Sequence, residues 1–337
     1  MEDTQAERLG NTSRQNLRSG TPDTAGHDDP RAGYEALKER AGLVDRSDRT
    51  VLRLAGRDPA EMLNAIITNQ VPREANLGIY ATLLNPKGRI QTDLRILKSG
   101  EDVLVDTEPE GAGAAREILG RYAPFSRVEI EDLSANGSWG ILGLYGPRAH
   151  ELLDELRLAE HESAEAEVGD TKVLAAGVAA PVPGFDLLGL EEDLRAAREH
   201  LKRAGAEPVS PEAYETARIE AGFPRFGADI TPENFPAEAS ILDRAVSFSK
   251  GCYPGQETVA KMYYRGRPNR TLYRLKIEGP SPSPGAPILH EEKQVGTITS
   301  IAPLTIDDHT LALGYLSRNA QKDTPLSAGE ATVLPVP

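Results

Sequence analysis

The sequence contains one cysteine among 337 residues, and this scarcity excludes several classes of site. A single thiol cannot form an intramolecular disulfide or supply the two or more thiolates of most structural zinc sites. The six histidines show no metal-ligand spacing, so we interpret each as structural or surface and predict no metal site. The sequence also lacks a glycine-rich phosphate loop and an internal repeat. If Cys252 has a chemical role, it therefore acts as a single nucleophile or as one ligand of a site shared with a partner.

No apolar run reaches the ~18 residues that a membrane-spanning helix needs. Residues 1–32 are polar and lack the apolar centre of a secretory signal, which predicts a disordered tail and a cytoplasmic chain without a membrane partner. The net charge of −14 opposes nonspecific binding to nucleic acid, so direct nucleic-acid binding is not expected. Residues 250–276 are the exception, because they hold seven basic side chains and one acidic side chain.

Hydrophobic periodicity predicts helices and strands without strict alternation, which is typical of an α+β protein with mostly antiparallel sheet. The predicted helices are Tyr34–Ala41 with Gly42 as C-cap, Asp58–Thr68, Glu110–Tyr122, Pro147–Leu156, Glu191–Lys202 and Ser210–Ala221. From Asn269 onward, short strands separated by Gly, Pro and Ser predict a small β-barrel or sandwich. We place the domain boundary at 265–268, which gives one domain at 33–264 and a second at 265–337.

Cys252 lies in the segment Lys250–Glu257, whose two glycines and one proline predict a bent loop with exposed backbone. A lone cysteine is most often a small buried hydrophobic residue, and that alternative stays open. The loop composition favours an exposed thiol, whose thiolate Lys250 and Lys261 would stabilise. The basic stretch that follows is either a solvated surface or a site for an anion near the thiol.

Several segments carry a resemblance to known proteins: Ala217–Pro224, Phe235–Glu238, Lys250–Glu257 and Arg265–Arg270. They closely resemble the YgfZ family of folate-binding proteins, which is related to the glycine-cleavage T-protein, an aminomethyltransferase. The string Lys-Gly-Cys-Tyr-x-Gly-Gln-Glu is the most specific part of the match. The resemblance covers the chain from about residue 33 to its end.

The resemblance implies two intertwined mixed α/β subdomains around a central site for tetrahydrofolate or a substituted folate, followed by a small C-terminal β-barrel. It implies that Glu238 binds the pterin edge, since a carboxylate can accept two N–H groups in a charge-assisted pair. Arg265 and Arg270 are expected to meet the glutamate tail of folate. Asp93 is expected to lie near folate N5 and N10, where T-proteins need a carboxylate.

Departures from the T-protein pattern indicate which branch the chain resembles. T-proteins carry two adjacent aspartates where this chain has Thr92 and Asp93, and they lack the Lys-Gly-Cys loop. The resemblance therefore implies a folate-dependent factor for assembly or repair of iron–sulfur client enzymes, including tRNA-modifying enzymes. Cys252 and Asp93 are the candidate catalytic residues. The residues expected to present the thiol are Lys250, Gly251, Tyr253, Gly255, Gln256 and Glu257.

Two alternatives stay open. Asp93 and Glu238 fit a folate-dependent aminomethyltransferase of the T-protein type. The basic residues 250–276 fit a non-enzymatic adaptor for RNA or protein, and only their charge favours it. Arg218 and Glu220, an Arg-x-Glu pair on a predicted helix, are expected to hold the helix or the pocket wall.

Overall fold

The computed structural model describes residues 29–320 and 326–336. It contains two mixed α/β subdomains, each built on one sheet, and a closed six-stranded C-terminal barrel. This is the α+β architecture predicted above. Most of the predicted tail, residues 1–28, lies outside the described residues, and the first helix begins at Pro30. No helix within the described ranges is long and apolar enough to cross a membrane.

The helices begin where the sequence supplies caps. Asp29, Asp58 and Ser210 each accept a backbone N–H from the first turn and are followed by proline, whose fixed φ suits that position. The α-helices are α1 (Pro30–Glu39), α2 (Pro59–Ile66), α3 (Ala112–Ser126), α4 (Glu191–Arg203), α5 (Pro211–Glu220), α6 (Leu242–Ala245) and α7 (Gln256–Arg265).

The two sheets interleave along the chain, as the prediction of intertwined subdomains requires. The first sheet has the order β11-β1-β7-β10-β9-β8, and the second has the order β3-β4-β5-β2-β6. Strand β1 thus belongs to the first sheet, β2 to β6 form the second sheet, and β7 to β11 complete the first. The strands are β1 (Gly42–Asp45), β2 (Thr50–Gly56), β3 (Ile79–Leu84), β4 (Ile90–Ser99), β5 (Asp102–Thr107), β6 (Val128–Asp132), β7 (Trp139–Tyr145), β8 (Ser163–Val168), β9 (Thr171–Val178), β10 (Gly184–Leu190) and β11 (Glu207–Val209).

The C-terminal strands close into a barrel with the order β12-β15-β14-β13-β16-β17. Closure leaves no free sheet edge, which lets these short strands form a stable unit. The first strand begins five residues after the predicted boundary at 265. The strands are β12 (Arg270–Glu278), β13 (Pro287–His290), β14 (Lys293–Ile306), β15 (His309–Ser317), β16 (Leu326–Ala328) and β17 (Ala331–Val336).

Some local predictions were wrong. Gly42 is the first residue of β1 rather than a C-cap, and a Cβ there would lie 2.5 Å from Val209 Cγ2, so glycine serves close packing. The helix predicted at Pro147–Leu156 is only a 3₁₀ turn at Ala149–Leu153, because the next two residues have positive φ. Helix α7 was not predicted, and its first two residues, Gln256 and Glu257, belong to the predicted cysteine loop; strand β8 was not predicted either.

A buried ion pair lies at the contact between helix α5 and the barrel. Arg218 on α5 donates through Nη1 to Asp229 Oδ2 at 2.7 Å, and these side chains are 3% and 0% exposed. From β14, Thr299 and Ser300 donate to Asp229 Oδ1 at 2.5 and 2.8 Å. The Tyr315 hydroxyl on β15 donates to the Asp229 carbonyl at 3.0 Å. Asp229 is therefore the central acceptor of this joint, and Arg218 has the structural role expected for it.

Candidate functional site

A cavity lies between the two sheets and is lined by residues from both. Its empty space is about 710 Å³ when the open mouth to solvent is included. Strands β3, β4 and the end of β5 line one side, and β7, β9, β10, α5 and the segment before β8 line the other. The polar lining consists of Arg46, Arg49, Tyr80, Asp93, Arg95, Glu108, Tyr145, Glu160, His161, Asp186, Tyr214, Arg218, Arg225 and Arg244.

Strand β4 directs Asp93 and Arg95 into this cavity. The two residues are two positions apart, so the pleat places both side chains on one face of the sheet. On the neighbouring strand, Tyr80 is the register partner of Arg95, and its hydroxyl donates to Asp93 Oδ2 at 2.8 Å. All three residues are buried. The structure thus places the candidate catalytic Asp93 in the wall of the central cavity.

Buried arginines and carboxylates form a network around the cavity. Arg95 donates through Nε to Asp106 Oδ2 at 2.7 Å and through Nη1 to Asp186. Arg49 donates to the other oxygen of Asp106 at 2.7 Å and also pairs with Glu108. Charge-assisted bonds in two directions hold each guanidinium plane in one orientation. The network therefore presents preorganised polar atoms to a ligand.

Asp93 differs from the other carboxylates of this network. Asp106, Glu108 and Asp186 each have an ion pair with arginine, whereas Asp93 has none within the described part of the chain. Burial, followed by repulsion from Glu108, raises the pKa of Asp93 to about 6. A carboxylic acid with this pKa can exchange a proton near neutral pH, which is the property that general acid–base chemistry needs.

The raised pKa of Asp93 predicts a pH-dependent stability. Because its folded-state value of about 6 exceeds the ordinary 3.8, the folded protein binds this proton more tightly than the unfolded chain does. The contribution is fully present below about pH 4 and is lost as the pH rises through about 6. Relative to Asp93→Asn, the wild type is expected to lose up to ~3 kcal/mol of unfolding free energy over this range. Urea unfolding of both proteins measures the difference, and a constant difference would contradict the assignment.

Four buried polar atoms of the lining have no hydrogen-bond partner among the described residues: Asp93 Oδ1, Arg95 Nη2, His161 Nδ1 and Arg225 Nε. More than ~90% of buried polar groups are paired, and an unpaired one costs about 1–3 kcal/mol. The arginine atoms are donors, the carboxylate oxygen is an acceptor when ionised, and the imidazole nitrogen can be either. The cavity is therefore suited to a polar ligand that both donates and accepts hydrogen bonds.

Glu238, Arg265 and Arg270 are not part of the cavity lining. The Glu238 carboxylate accepts the backbone N–H of Phe235 at 3.3 Å and lies 3.4 Å from Arg270 Nε. The Arg270 guanidinium lies over the Tyr315 ring, 5.1 Å from its centroid, and Arg265 is exposed at the end of α7. The structure therefore does not bring these three residues together with Asp93 in this cavity, and their role at a folate site stays a prediction. In the structure, Glu238 stabilises its own turn and its contact with the barrel.

The cysteine loop presents its thiol to solvent, as the loop composition predicted, because Cys252 is exposed. Lys250 was expected to stabilise the thiolate, but in the structure its side chain binds backbone carbonyls. Its Nζ donates to the carbonyls of Asn64, Ile67 and Asn69 at 2.9, 2.6 and 2.9 Å, at the C-terminal end of α2. The ammonium group thus anchors the loop and is not directed to the thiol. Burial lowers the pKa of Lys250 to about 8.

The other predicted residues of the loop and of helix α7 also have structural contacts. Tyr253 is buried in a hydrophobic cluster that includes Tyr80, so one cluster connects the thiol loop to the cavity wall. Lys261 pairs with Glu257 at 2.5 Å on the exposed face of α7. Gln256 and Glu257 form the first turn of that helix rather than a continuation of the loop.

Two glycines bring the thiol loop against the turn between β3 and β4. Gly88 and Gly255 have φ of +82° and +83°, a region that residues with a Cβ rarely adopt. A Cβ on Gly255 would lie 2.6 Å from the Asn85 carbonyl oxygen and 2.8 Å from Gly88 Cα. The turn that precedes the Asp93 strand and the loop that carries Cys252 are therefore in direct backbone contact.

An aromatic patch includes Phe248, which is four residues before Cys252 in the sequence. The Phe248 and Tyr263 rings stack with centroids 4.1 Å apart, and Tyr264 packs edge-on at 4.9 Å from Tyr263. Tyr263 and Tyr264 are 50% and 69% exposed, which is unusual for large aromatic side chains. Arg265 and Arg267 follow and are exposed. The patch thus combines apolar rings with positive charge.

Sequence reasoning missed most of the cavity lining, including Arg46, Arg49, Arg95, Glu108 and Asp186. A partial signal was present, because Asp93-Leu-Arg95 and Asp106-Thr-Glu108 place alternating charges in or next to otherwise apolar strands. Charged residues on the inner face of a buried strand are costly unless they pair or bind a ligand.

The GCVT N-terminal domain matches residues 22–250, and the CAF17 C-terminal beta-barrel domain matches residues 270–337. The chain belongs to the GCVT family. The combination of a GCVT domain with a CAF17-type barrel indicates the CAF17/YgfZ-like branch of the T-protein superfamily.

Proteins similar to this GCVT-family chain align along most of its length. The aminomethyltransferase of Saccharopolyspora erythraea is 25% identical and covers 90% of this chain and 87% of its own. That of a Synechococcus species is 27% identical and covers 89% and 88%. The solved structure of glycine cleavage system aminomethyltransferase T from Bartonella henselae has a TM-score of 0.79 at 23% identity and covers 90% of this chain and 87% of its own. That structural likeness shows the GCVT fold.

Proposed function

We propose that the protein binds tetrahydrofolate in the central cavity and supports the assembly or repair of iron–sulfur enzymes through Cys252. The observation that carries the folate part is the set of unpartnered buried atoms in the lining, which suits a ligand with both donors and acceptors. Membership of the GCVT family and similarity to aminomethyltransferases support a folate ligand. The exposed thiol, whose neighbour Tyr253 packs in one hydrophobic cluster with Tyr80 of the cavity wall, supports the second part.

The residues of the cavity fit a reduced pterin. Such a ring carries a carbonyl acceptor next to two adjacent donors, a ring N–H and an amino group. Asp93 Oδ1 can accept a hydrogen bond from it, and Arg95 Nη2 can donate one. The rings of Tyr80 and Phe223 belong to the lining and give the flat ligand apolar contact. Bound folate would bring a one-carbon carrier into this cavity.

Cys252 is suited to contact with another protein. A thiolate is a preferred ligand of iron–sulfur clusters, and this one is exposed at the surface. The residues Tyr263 and Tyr264 form an exposed aromatic surface, and exposed apolar patches mark interaction sites. Arg265 and Arg267 favour an acidic partner surface. We infer that iron–sulfur client proteins, with tRNA-modifying enzymes among them, dock here.

Replacing Cys252 by alanine is expected to separate the two parts of this function. The variant should bind tetrahydrofolate in calorimetric titration with the wild-type affinity, because Cys252 does not line the cavity. It should fail to restore the activity of iron–sulfur enzymes in cells that lack the wild-type protein. Lys261→Ala, which removes an exposed ion pair on α7, is the matched control and should restore activity. Full rescue by Cys252→Ala would refute the role of the thiol, and a wild type that binds no tetrahydrofolate would refute the role of the cavity.

An aminomethyltransferase of the T-protein type is the second candidate. It is favoured by the names of the similar proteins and by the position of Asp93 in the cavity. The cysteine loop and the CAF17-type barrel favour the first candidate. The glycine-cleavage exchange assay distinguishes them, because methylene transfer to tetrahydrofolate by the purified protein is expected only for the second.

A further inference from the structure

The side chain of Lys250 binds the end of helix α2 with its whole ammonium group. The carbonyls of Asn64, Ile67 and Asn69 accept from Nζ, which accounts for all three N–H donors of a lysine. Carbonyls at the C-terminal end of a helix lack partners within the helix and carry the negative end of its dipole, so a cation is favoured there. Lys250 thus ties the segment two residues before the thiol to the turn formed by residues 64–69, called the α2 turn below.

The α2 turn also holds part of the cavity wall. The Asn69 side chain donates through Nδ2 to the carbonyls of Tyr80 and Arg244 at 3.0 and 2.9 Å. Both residues line the cavity, and the Arg244 guanidinium lies 4.8 Å from the centroid of the Tyr80 ring. Asn69 therefore binds two lining residues with its side chain and the lysine of the thiol loop with its own carbonyl.

Further contacts join the α2 turn to the chain before the thiol. The Ser247 N–H donates to the Thr68 carbonyl at 3.0 Å, and Thr68 Oγ1 donates to the Ala245 carbonyl at 2.5 Å. The hydroxyls of Thr68 and Thr82 are hydrogen-bonded at 3.0 Å, and both residues are buried. The α2 turn is therefore a common support for the cavity wall and for residues 245–250.

The thiol lies between two anchors. Gly251 and Cys252 are exposed, whereas Tyr253 is buried in the cluster that includes Tyr80. Glycine has the least restricted backbone of all residues, so the position of the thiol depends on how its neighbours are held. Without the contact of Lys250, the loop would keep only the anchor that follows Cys252.

We propose that Lys250 positions Cys252 relative to the cavity wall, so that a ligand that immobilises Tyr80 and Arg244 also immobilises the thiol loop. This inference rests on the proposed function and adds a physical connection between its two parts. A ligand that orders the wall also orders the α2 turn, and the turn then holds the ammonium of Lys250 more firmly. Two sites are coupled in this way through conformational order, without a large change of shape.

The single cysteine allows a direct test, because a nitroxide spin label attached to the exposed Cys252 reports the mobility of its loop. In the wild type, electron paramagnetic resonance should show a label whose mobility falls when tetrahydrofolate is added. Lys250→Met keeps a long apolar side chain but removes the ammonium. Its label should be more mobile, and tetrahydrofolate should no longer reduce that mobility, although calorimetric titration still detects binding.

Amide hydrogen exchange measures the same loosening without a label. The Ser247 N–H is protected by the Thr68 carbonyl, so its exchange reports the contact between the chain before the thiol and the α2 turn. Lys250→Met should lower this protection about 10- to 100-fold, because hydrogen bonds to a charged group are lost and water replaces them only in part. Lys250→Gln retains a donor and serves if the methionine variant does not fold.

Lys98→Met is the matched control. Lys98 Nζ also donates to backbone carbonyls, those of Arg73 and Glu74 at 2.8 and 3.0 Å, but these belong to another loop. This variant should match the wild type in label mobility, in exchange at Ser247 and in its response to tetrahydrofolate.

Two results would overturn the inference and leave the proposed function intact. One is a folded Lys250 variant with the label mobility of the wild type, and the other is a wild type that binds tetrahydrofolate without any change at the label. Failure of the wild type to bind tetrahydrofolate would instead overturn the folate part of the proposed function together with the coupling. The spectra without ligand would then still decide whether Lys250 anchors the thiol.

Discussion

Replacing Asp229 by alanine is expected to lower the free energy of unfolding by about 3–5 kcal/mol, the usual cost of removing one partner from a buried ion pair. The substitution leaves the Arg218 guanidinium, which is 3% exposed, without one of its two carboxylates. It also removes the acceptor of the Ser300 and Thr299 hydroxyls on the barrel. Urea unfolding followed by circular dichroism measures the change.

Two comparisons make the Asp229 experiment specific. Glu117→Ala removes an exposed pair with Arg121 and should change stability by less than ~1 kcal/mol. Asp229→Asn retains an acceptor but not the charge, so its effect should lie between those of wild type and Asp229→Ala. If Asp229→Ala destabilised no more than the Glu117 control, the joint between barrel and subdomain would not depend on this carboxylate.

Replacing Asp93 by alanine is expected to weaken tetrahydrofolate binding by about 2–4 kcal/mol, or roughly 30- to 1,000-fold. The reason is that Asp93 Oδ1 is the buried acceptor of the lining that has no protein partner among the described residues. The same substitution should not destabilise the protein at pH 7 by a comparable amount, because it also removes a buried carboxyl repelled by Glu108. Calorimetric titration and urea unfolding of one preparation test both statements.

Glu238→Ala is the informative counterpart of the Asp93 variant. The family resemblance assigns the pterin to Glu238, whereas the structure places this carboxylate against Phe235 and Arg270, outside the lining. We therefore expect Glu238→Ala to keep tetrahydrofolate affinity within about twofold. A large loss for Glu238→Ala together with unchanged binding by Asp93→Ala would show that the ligand site lies elsewhere.

The sequence predicted those parts of the fold that depend on local signals. Asp58-Pro59 and Ser210-Pro211 start helices α2 and α5, since a cap and a proline act within one turn. The hairpin of β3 and β4 has a local origin too, because two apolar runs flank the turn residues Asn85–Gly88. The C-cap predicted at Gly42 and the helix predicted at residues 147–156 were wrong. Tertiary packing determines the first conformation and positive φ values the second, and a short window of sequence reveals neither cause.

The site was harder to predict because its residues are remote in sequence. Asp106 and Asp186, which belong to different sheets, meet on one guanidinium, that of Arg95. No spacing rule connects these positions, because the interleaved order of the strands brings them together. His161 was interpreted as structural or surface for the same reason, since a single histidine carries no spacing signal. Only the exposure of Cys252 followed directly from its immediate neighbours.

The contact between Gly88 and Gly255 restricts which amino-acid substitutions the two segments can tolerate. A side chain at Gly255 would require the turn Asn85–Gly88 to move away, and a side chain at Gly88, whose Cβ would lie 2.8 Å from Thr258 Cβ, would require helix α7 to move away. A retreat of the first would shift the hairpin that carries Asp93, and a retreat of the second would shift the start of α7 and the thiol before it. Substitutions in these two distant stretches are therefore tolerated only as compensating pairs, and engineering one without the other would disturb ligand site and thiol together.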